Sequence, residues 1–313
     1  MKSALKPWRQ ILGLLILGLL IYLLDLESLL ALVANSDWIL LGTAALLLFL
    51  ENVIVALRWK TLLVPLEIEE TTGSLLRIYL AGHLLSYFIP TSVVTDVYRA
   101  FTFRHRGRAV EVASSLVVER FLGAASVLVA MVMGGFLVAA EAQHLQIARP
   151  VGIFTAIFAA GCLVMVLAVG ASDTLLRLMP ARWPRIASIA ERLAEGLRQY
   201  ATAPRALMVG GGLSLLIQAI RVLTVFTLFR AFGTDVGLGS CLLIVPMAYL
   251  TNMVPGIGSR LGTEQGVFVV LFGLLGIAPE PAFAVSIANV GLGALVALPG
   301  GLEFLRQREL ADD

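Results

Sequence analysis

The sequence has few charges and few of the residues on which soluble enzymes and disulfide-linked domains depend. Only 14% of its 313 residues are charged, and it contains two cysteines and three histidines. Cys162 and Cys241 lie in apolar runs, with spacing that fits neither a disulfide framework nor a zinc site. The sequence also lacks a Gly-x-x-x-x-Gly-Lys phosphate loop and a Gly-x-Ser-x-Gly elbow. We therefore expect no metal, no cofactor and no soluble active site.

Apolar residues dominate what is present. They make up 59% of the chain, the mean hydropathy is +0.92, and the net charge of +2 gives no reason to expect a nucleic-acid partner. This composition is typical of an all-α polytopic membrane protein. About 20 apolar residues cross a bilayer as a helix. The sequence predicts six such spans, at about 10–25, 38–57, 111–140, 150–171, 206–232 and 282–303. The first has no small-residue cleavage site after it, so we expect it to be retained.

The basic residues predict the orientation, because cytoplasmic loops are enriched in lysine and arginine. The basic segments are the N-terminus, 58–60, 99–108, 177–205 and the pair Arg306 and Arg308. Placing all of them in the cytoplasm puts both chain termini there. It also puts both flanks of 74–98 on the inside and both flanks of 240–278 on the outside. We therefore predict that these two stretches are re-entrant hairpins of opposite orientation. The alternative for 74–98 is a single crossing span, which would place 99–108 outside.

Polar breaks rich in proline and glycine interrupt both stretches. Lipid cannot satisfy a broken backbone, so such breaks persist inside protein or along a wet cavity. Two oppositely oriented hairpins predict an inverted repeat with a site where their tips meet. The predicted break residues are Pro90 in the first stretch and Pro255, Gly256, Gly258 and Gly262 in the second.

The whole chain, residues 1–313, is predicted to be a single membrane domain. Its first half covers 1–140 and its second half 206–305. Between them, 172–205 is predicted to form a cytoplasmic amphipathic connector, because apolar residues recur there at helical spacing among many arginines. A solvated or lipid-facing surface is the simpler interpretation of those arginines, and recruitment of an anionic lipid is the sharper one.

Charged residues near the first break are candidates for binding a substrate, since intramembrane charges usually mark substrate or ion paths. Asp96 and Arg99 are three residues apart and could share a helix face. Glu119 and Arg120 open the third span. Because sequence neighbours point to different faces, we predict that Arg120 contacts Asp96 and Glu119 contacts Arg99. A purely structural role for these pairs is the alternative.

The second group of candidates lies around the second break. Arg260 and Glu264 are four residues apart on a helix predicted to start after Gly258, where free backbone N–H groups and an arginine suit a phosphate. Arg221 lies in the middle of the fifth span and needs either a partner or a water-filled cavity. Glu264 and Glu51 are the candidate partners, although Glu51 could instead snorkel to the interface.

These motifs together resemble the lysylphosphatidylglycerol synthase transmembrane-region family, also described as flippase-like domain proteins. The resemblance covers about residues 5–305. It rests on the order of the motifs, namely Arg58-Trp59 with Leu62-Leu63, Pro90 followed by Asp96-x-x-Arg99, Glu119-Arg120-Phe121-Leu122-Gly123, and Pro255, Gly258 and Gly262-x-Glu264.

The resemblance implies an integral protein of a bacterial or archaeal cytoplasmic (inner) membrane. In two-part members of the family, this domain moves aminoacylated phosphatidylglycerol between leaflets while a separate domain synthesises that lipid. Two departures bear on the head group. The family usually has Gly-Gly-Asp where this chain has Val94-Thr95-Asp96, and Arg260 adds a cation to the usual Gly-Gly-Leu-Gly. The added arginine would favour an anionic group.

We therefore predict a lipid translocase rather than an enzyme. Its cargo would be an anionic or zwitterionic phospholipid, an aminoacyl-phospholipid or a polyprenyl-phosphate lipid. The substrate-binding residues would be Asp96, Arg99, Glu119, Arg120, Arg221, Arg260 and Glu264. A lipid-modifying synthase or a glycosyltransferase would be the partner. The alternatives are a non-transporting scaffold for a glycosyltransferase and a membrane enzyme that acts on a lipid phosphate.

Overall fold

The structure, a computed structural model, describes residues 26–89, 93–140, 184–253 and 262–303, with Ala156 and Ala160 as isolated positions. Within these ranges all regular elements are helical, with short 3-10 turns after several helices. The helices are α1 (Leu26–Ala34), α2 (Trp38–Leu63), α3 (Thr72–Phe88), α4 (Val94–Thr102), α5 (Ala109–Ala140), α6 (Pro184–Gln199), α7 (Pro204–Ala231), α8 (Leu238–Met253), α9 (Thr263–Gly273) and α10 (Pro279–Ala297).

Four helical segments are long and apolar enough to cross a membrane. They are Trp38–Leu66, Ala109–Val138, Pro204–Ala231 and Pro279–Glu303, each of 25 to 30 residues. At about 1.5 Å per residue, each exceeds the roughly 30 Å of a bilayer's hydrocarbon core. The chain is therefore a polytopic all-helical membrane protein, and four of the predicted spans are confirmed as helices. The other two, at about 10–25 and 150–171, lie outside the described residues apart from Ala156 and Ala160.

Side chains on the outer surface of the long helices are apolar. Trp38, Ile39, Phe136 and Met208 are each more than 70% exposed. Apolar side chains exposed over so wide a surface mark contact with a membrane. The buried apolar residues form two large clusters, one around α7, α8 and α9 and the other around α2 and the start of α5.

Two pairs of shorter helices fold back on themselves. Helices α3 and α4 pack together as the first hairpin, and the Thr95 Oγ1 hydroxyl on α4 donates a hydrogen bond of 3.0 Å to the Gly82 carbonyl on α3. Helices α8 and α9 pack together as the second hairpin. The first hairpin, from Thr72 to Thr102, extends beyond the predicted stretch 74–98 at both ends. The second begins at Leu238, before the predicted 240, and ends at Gly273, short of the predicted 278. Pro90, Pro255, Gly256 and Gly258 lie outside the described residues.

The helix contacts of the two halves correspond to one another. Helix α2 packs along its counterpart α7, and each also contacts the hairpin that follows it. Helix α5 packs against α8, the first helix of the other half's hairpin. Likewise α10 and the 3-10 turn after it pack against α3. The last long helix of each half therefore packs against the first helix of the other half's hairpin.

At both of these contacts between the two halves, a glycine allows the two backbones to lie close together. A Cβ atom on Gly134 of α5 would lie 2.4 Å from the backbone nitrogen of Leu243 on α8. A Cβ on Gly300, after α10, would lie 2.3 Å from the carbonyl carbon of Leu80 on α3. No real Cβ atom tolerates such distances, so the backbones meet only because both positions lack a side chain. Small residues at helix contacts are a common way to pack membrane helices closely.

The connector contains the predicted helix, although it is shorter than 172–205. Helix α6 packs against α5, and a Cβ on Gly196 would lie 2.3 Å from the Ser114 hydroxyl oxygen. The apolar stripe predicted here is only partly covered, because Leu193 and Leu197 are partly buried whereas Ile189 is 54% exposed. Residues 172–183 of the connector lie outside the described part of the chain.

Candidate functional site

A polar cavity of about 210 Å³ lies where the two hairpins meet the long helices. Its walls come from α2, α3, α4 and α5 in the first half and from α7, α8, α9 and α10 in the second. Charged residues are costly inside a membrane protein and usually functional. Eight of them line this cavity, which makes it the candidate site: Glu51, Arg58, Asp96, Arg99, Glu119, Arg120, Arg221 and Glu264.

The first half contributes an Arg-rich network centred on Glu119 of α5. Arg99 of α4 donates two hydrogen bonds to this carboxylate, of 3.1 Å to Oε1 and 2.7 Å to Oε2. Arg58 of α2 donates a third, of 2.8 Å, to Oε1. All three side chains are at least nine-tenths buried. Forked guanidinium contacts of this kind fix geometry as well as charge, so the network ties α2, α4 and α5 together.

Asp96 extends the network toward Arg120. The Nε of Arg120 donates a hydrogen bond of 2.8 Å to Asp96 Oδ2, and its terminal nitrogen contacts the same oxygen. Arg99 also lies 3.7 Å from Asp96 Oδ1. The contacts predicted from the sequence, Arg120 with Asp96 and Glu119 with Arg99, are thus present. The Arg-rich network consists of Arg58, Arg99, Arg120, Asp96 and Glu119. Three arginines face two carboxylates, so its formal charge is +1.

The Trp59 ring packs against this network. The Arg99 guanidinium carbon lies 3.9 Å from the centre of the Trp59 ring, and the ring packs edge-on against Phe103 at 6.0 Å. Trp59 is fully buried and Arg58 is 7% exposed. The predicted span ended at residue 57, with 58–60 in a basic cytoplasmic segment. In the structure, α2 continues to Leu63, and Arg58 and Trp59 are buried in its last two turns.

A second network, rich in glutamate, joins Glu51 of the first half to residues of the second half. The Nε of Arg221 on α7 donates a hydrogen bond of 2.7 Å to Glu51 Oε1 on α2. The guanidinium carbon of Arg221 lies 4.7 Å from the centre of the Tyr249 ring on α8. Glu51, Glu264 and Tyr249 all line the same cavity. Glu51 is 9% exposed and does not snorkel to the interface. This confirms Glu51 as a partner of Arg221.

Asn289 of α10 completes the Glu-rich network, which we define as Glu51, Glu264, Arg221, Tyr249 and Asn289. The Asn289 side-chain nitrogen donates a hydrogen bond of 3.3 Å to the Tyr249 hydroxyl. Glu264 is 4% exposed and lies in the first turn of α9. Within the described residues, this network contains two carboxylates and one arginine, all of which line the cavity.

The turn before α9 differs from the prediction. We expected a helix starting after Gly258, but α9 begins at Thr263 because Gly262 has a φ of 94°. That backbone conformation favours glycine, and the Gly262 N–H donates a hydrogen bond of 2.5 Å to the side-chain oxygen of Gln265. The spacing between Arg260 and Glu264 therefore crosses a non-helical residue. Arg260 itself lies outside the described residues.

A row of aromatic side chains on α3, together with Asn52 on α2, also lines the cavity, and sequence reasoning missed it. His83 stacks on Tyr87 with a centroid distance of 5.5 Å and lies 5.6 Å from Tyr79. Its Nδ1 is 3.1 Å from Asn52 Oδ1. A Cβ on Gly293 would lie 2.5 Å from the Tyr87 hydroxyl, so this glycine leaves room for the tyrosine.

A signal for these missed residues exists in the sequence. Tyr79, His83 and Tyr87 recur every four residues and therefore share one helix face. Glu51, Val55 and Arg58 form a similar stripe on α2. Polar members of a single stripe in an apolar helix point to a common cavity. The structure brings every predicted substrate-binding residue except Arg260 to this cavity. Their role in binding stays a prediction.

Comparison with known proteins agrees with the motifs. The family described as "Lysylphosphatidylglycerol synthase TM region" matches residues 10–300. The chain belongs to this family. The resemblance inferred from the motif order is therefore confirmed over nearly the expected range.

The chain is also similar to a curated membrane protein from an archaeon. This relative is described as a UPF0104 membrane protein of Methanothermobacter thermautotrophicus, and it is 26% identical over 105 residues. The match covers 34% of this chain and 31% of the relative. No solved structure matches the chain. The similarity agrees with the assignment of a multi-pass membrane protein.

Proposed function

We propose that this protein is a lipid translocase of the cytoplasmic membrane, with both termini in the cytoplasm. The observation that carries the proposal is the cavity lined by both hairpins, in which four arginines face four carboxylates. A membrane protein that only needs to be stable gains little from so many buried charges. A protein that must accept a charged head group in the membrane needs charges there already.

Exchange of partners gives the physical mechanism. Each arginine of the cavity is held by a carboxylate, so the site is close to neutral when it is empty. An entering head group replaces some of these contacts, so its charge is compensated. A buried ion left without a partner would cost several kcal/mol or more. Arg99 contacts both Glu119 and Asp96, so it can release one carboxylate for a ligand and keep the other.

The size of the cavity favours a head group alone. Pockets that enclose a whole drug-sized ligand occupy about 300–1,000 Å³, whereas this cavity holds about 210 Å³. The hydrocarbon chains of the lipid would therefore stay outside, along the apolar outer surface of the helices. This division is the one a translocase needs, because only the polar part of the lipid is costly to move through the membrane.

The matching helix contacts support alternating access by an inverted repeat with two re-entrant hairpins. Transporters of this type often bind near the middle of the membrane, between broken helices, and rock one repeat against the other. Here the contacts of Gly134 with α8 and Gly300 with α3 would be the two surfaces that move. They carry no interlocking side chain at the glycine itself, so a small displacement needs little repacking.

The proposed activity involves no covalent step. A separate lipid-modifying synthase or glycosyltransferase would supply or consume the lipid. The cargo class at this level is an anionic or zwitterionic phospholipid, an aminoacyl-phospholipid or a polyprenyl-phosphate lipid. Phosphate, the group these lipids share, is the group that paired arginines recognise best.

Leaflet exchange of fluorescent lipids in proteoliposomes tests the proposal. We expect exchange of at least one phosphate-bearing lipid by the wild type and none by Glu264→Gln or Arg221→Gln. The sequence predicts the same loss for Arg260→Ala. Arg230→Gln is the matched control, because Arg230 is on α7 like Arg221 but pairs with Asp235 at the exposed end of the helix. Absence of exchange by the wild type under every ion gradient would refute the translocase.

A further inference from the structure

The His83 side chain lines the cavity with a defined proton on one ring nitrogen. Its Nδ1 is 3.1 Å from Asn52 Oδ1. The Asn52 side-chain nitrogen donates a hydrogen bond of 2.8 Å to the Leu48 carbonyl. Because a carbonyl only accepts, this bond fixes which end of the Asn52 amide faces His83. An amide oxygen also only accepts, so Nδ1 is the donor and carries a proton in both the neutral and the charged imidazole.

The second ring nitrogen faces a group that suits both charge states. His83 Nε2 is 3.5 Å from the Tyr87 hydroxyl, and a phenol both donates and accepts. The hydroxyl can donate to Nε2 of the neutral ring and accept from Nε2–H of the imidazolium. A proton can therefore enter and leave at Nε2 while Asn52 keeps its contact with Nδ1. The rings of Tyr87 and Tyr79, 5.5 and 5.6 Å away, accommodate the imidazolium because aromatic faces attract cations.

Protonation of His83 also disturbs the charged groups around it less than protonation of a carboxylate would. The ionisable groups that line the cavity with His83 are Glu51 and Arg58 of α2, Tyr79 and Tyr87 of α3, Asp96 and Arg99 of α4, Glu119 and Arg120 of α5, Arg221 of α7, Tyr249 of α8 and Glu264 of α9. Glu303, after α10, pairs with Arg77 on α3. Glu51, Asp96 and Glu119 each form an ion pair with an arginine. Neutralising one partner of a buried pair is strongly destabilising, whereas a neutral imidazole has no ion pair to break.

Tyr79 connects His83 with the Arg-rich network. Its ring centre lies 5.6 Å from that of His83 and 5.7 Å from the Arg99 guanidinium carbon. A proton on His83 therefore adds a positive charge close to the arginines proposed to bind the phosphate. Coupling between two binding sites is reciprocal. A proton that strengthens phosphate binding is therefore itself bound more tightly when phosphate is present.

We propose that His83 is a proton-binding site of the translocase, and that one proton on Nε2 moves together with the phosphate head group. The proton comes from water on the side to which the cavity is open and returns to water on the other side. The proposal rests on the proposed translocase and supplies its energy source. Imidazole is the side chain that ordinarily titrates between about pH 5 and 8. Affinity for the head group rises as the pH falls through the titration of His83, by at most about tenfold per pH unit for one coupled proton.

Nitrogen-15 NMR of the full chain with labelled histidine tests the proton site without any transport. The sequence has three histidines, and ring nitrogens with and without a proton differ in chemical shift. His105→Gln and His144→Gln each remove one of the other two signals, which assigns the signal of His83. We expect His83 to carry its proton on Nδ1 at about pH 8 and to gain a second on Nε2 by about pH 5. A ring that stays neutral over this range, or whose single proton is on Nε2, overturns the site.

Leaflet exchange under a pH difference of about one unit tests the coupling. The probes are fluorescent phosphatidylglycerol, an aminoacylated form and a polyprenyl phosphate. The wild type should move the lipid that it exchanges up to about tenfold faster from the acidic side. His105→Gln, in the turn after α4, is the matched control and should respond equally, whereas folded His83→Gln should not respond.

The outcomes separate the proton site from the translocase. A wild type that exchanges lipid without responding to the pH difference overturns the coupling, even where His83→Gln fails to fold. An unchanged response in folded His83→Gln overturns it as well. A wild type in which His83 titrates as expected, but which exchanges no lipid, contradicts the translocase and supports the proton site.

Discussion

Replacing Glu119 by glutamine measures the electrostatic cost of the Arg-rich network. The substitution keeps the shape of the side chain and removes its charge. Glu119 accepts three hydrogen bonds, one from Arg58 and two from Arg99, and all three residues are at least nine-tenths buried. In the variant, two buried guanidinium groups share one neutral amide, and only Asp96 remains as a charged neighbour of Arg99.

The expected magnitude follows from the burial of the pair. Removing one partner of a buried ion pair costs about 3–5 kcal/mol, because the remaining charge is left uncompensated. The amide oxygen of glutamine still accepts one hydrogen bond, which places the expected loss near the lower value, about 3 kcal/mol. Since 1.4 kcal/mol is a tenfold change in an equilibrium constant, the ratio of folded to unfolded protein should fall by roughly 100-fold or more.

The matched control is Glu111→Gln on the same helix. Glu111 lies at the start of α5 and accepts hydrogen bonds of 2.9 and 3.2 Å from Arg192, whose side chain is 51% exposed. An ion pair with a solvated partner contributes about 0.2–1 kcal/mol. Equilibrium unfolding by SDS in mixed micelles, followed by tryptophan fluorescence, gives the free energy of unfolding of both variants.

The comparison can refute the reasoning directly. Equal free-energy losses for Glu119→Gln and Glu111→Gln would mean that the Arg-rich network is solvated rather than buried. A gain in stability for Glu119→Gln would mean that desolvation of the three charges outweighs their attraction. A large loss for Glu119→Gln alone is the expected result.

Three further predictions follow from the packing. Gly134→Ala on α5 should destabilise the protein by about 1–3 kcal/mol through overpacking against α8. Gly135→Ala is the control and should not destabilise it, because Gly135 has open space around it. Equal effects of the two substitutions in the same SDS titration would contradict the close contact. Cysteines at Glu69 and Arg104, the exposed flanks of the first hairpin, should react with an impermeant reagent from the same side of the membrane, and labelling from opposite sides would show that the hairpin crosses. Trp59→Leu should reduce stability by more than 2 kcal/mol, because Arg99 loses its aromatic support and a void remains; no measurable loss by SDS titration would refute that support.

The sequence was sufficient to predict the helices and several contacts of the site. Apolar runs identified the spans, and the breaks at Pro90 and around Gly262 identified both hairpins. The pairing of Arg120 with Asp96 and of Arg99 with Glu119 followed from a single rule, that charges inside a membrane protein must find partners. Because few charged residues lie in the apolar stretches, few pairings of opposite charges could satisfy this rule.

Other parts of the site could not be predicted, for physical reasons. Arg58 and Trp59 resemble an interfacial pair, and only tertiary packing shows that their helix continues and buries them. The start of α9 at Thr263 depends on the φ of Gly262. The sequence shows several glycines in this break but not which of them adopts a positive φ. Asn289 carries no obvious signal, because a neutral polar side chain in an apolar helix is as often structural as functional.

The contact between Gly300 and α3 has a consequence for how the chain is made. The backbone of Leu80 in the first hairpin receives this neighbour only after roughly 220 further residues have been synthesised. At about 5–20 residues per second, this takes about 10–45 s. Throughout that time the first hairpin, with its arginines and carboxylates, lacks the helix that will cover it. A nascent chain stalled before α10 should therefore bind membrane insertases or chaperones through this hairpin and release them when α10 emerges.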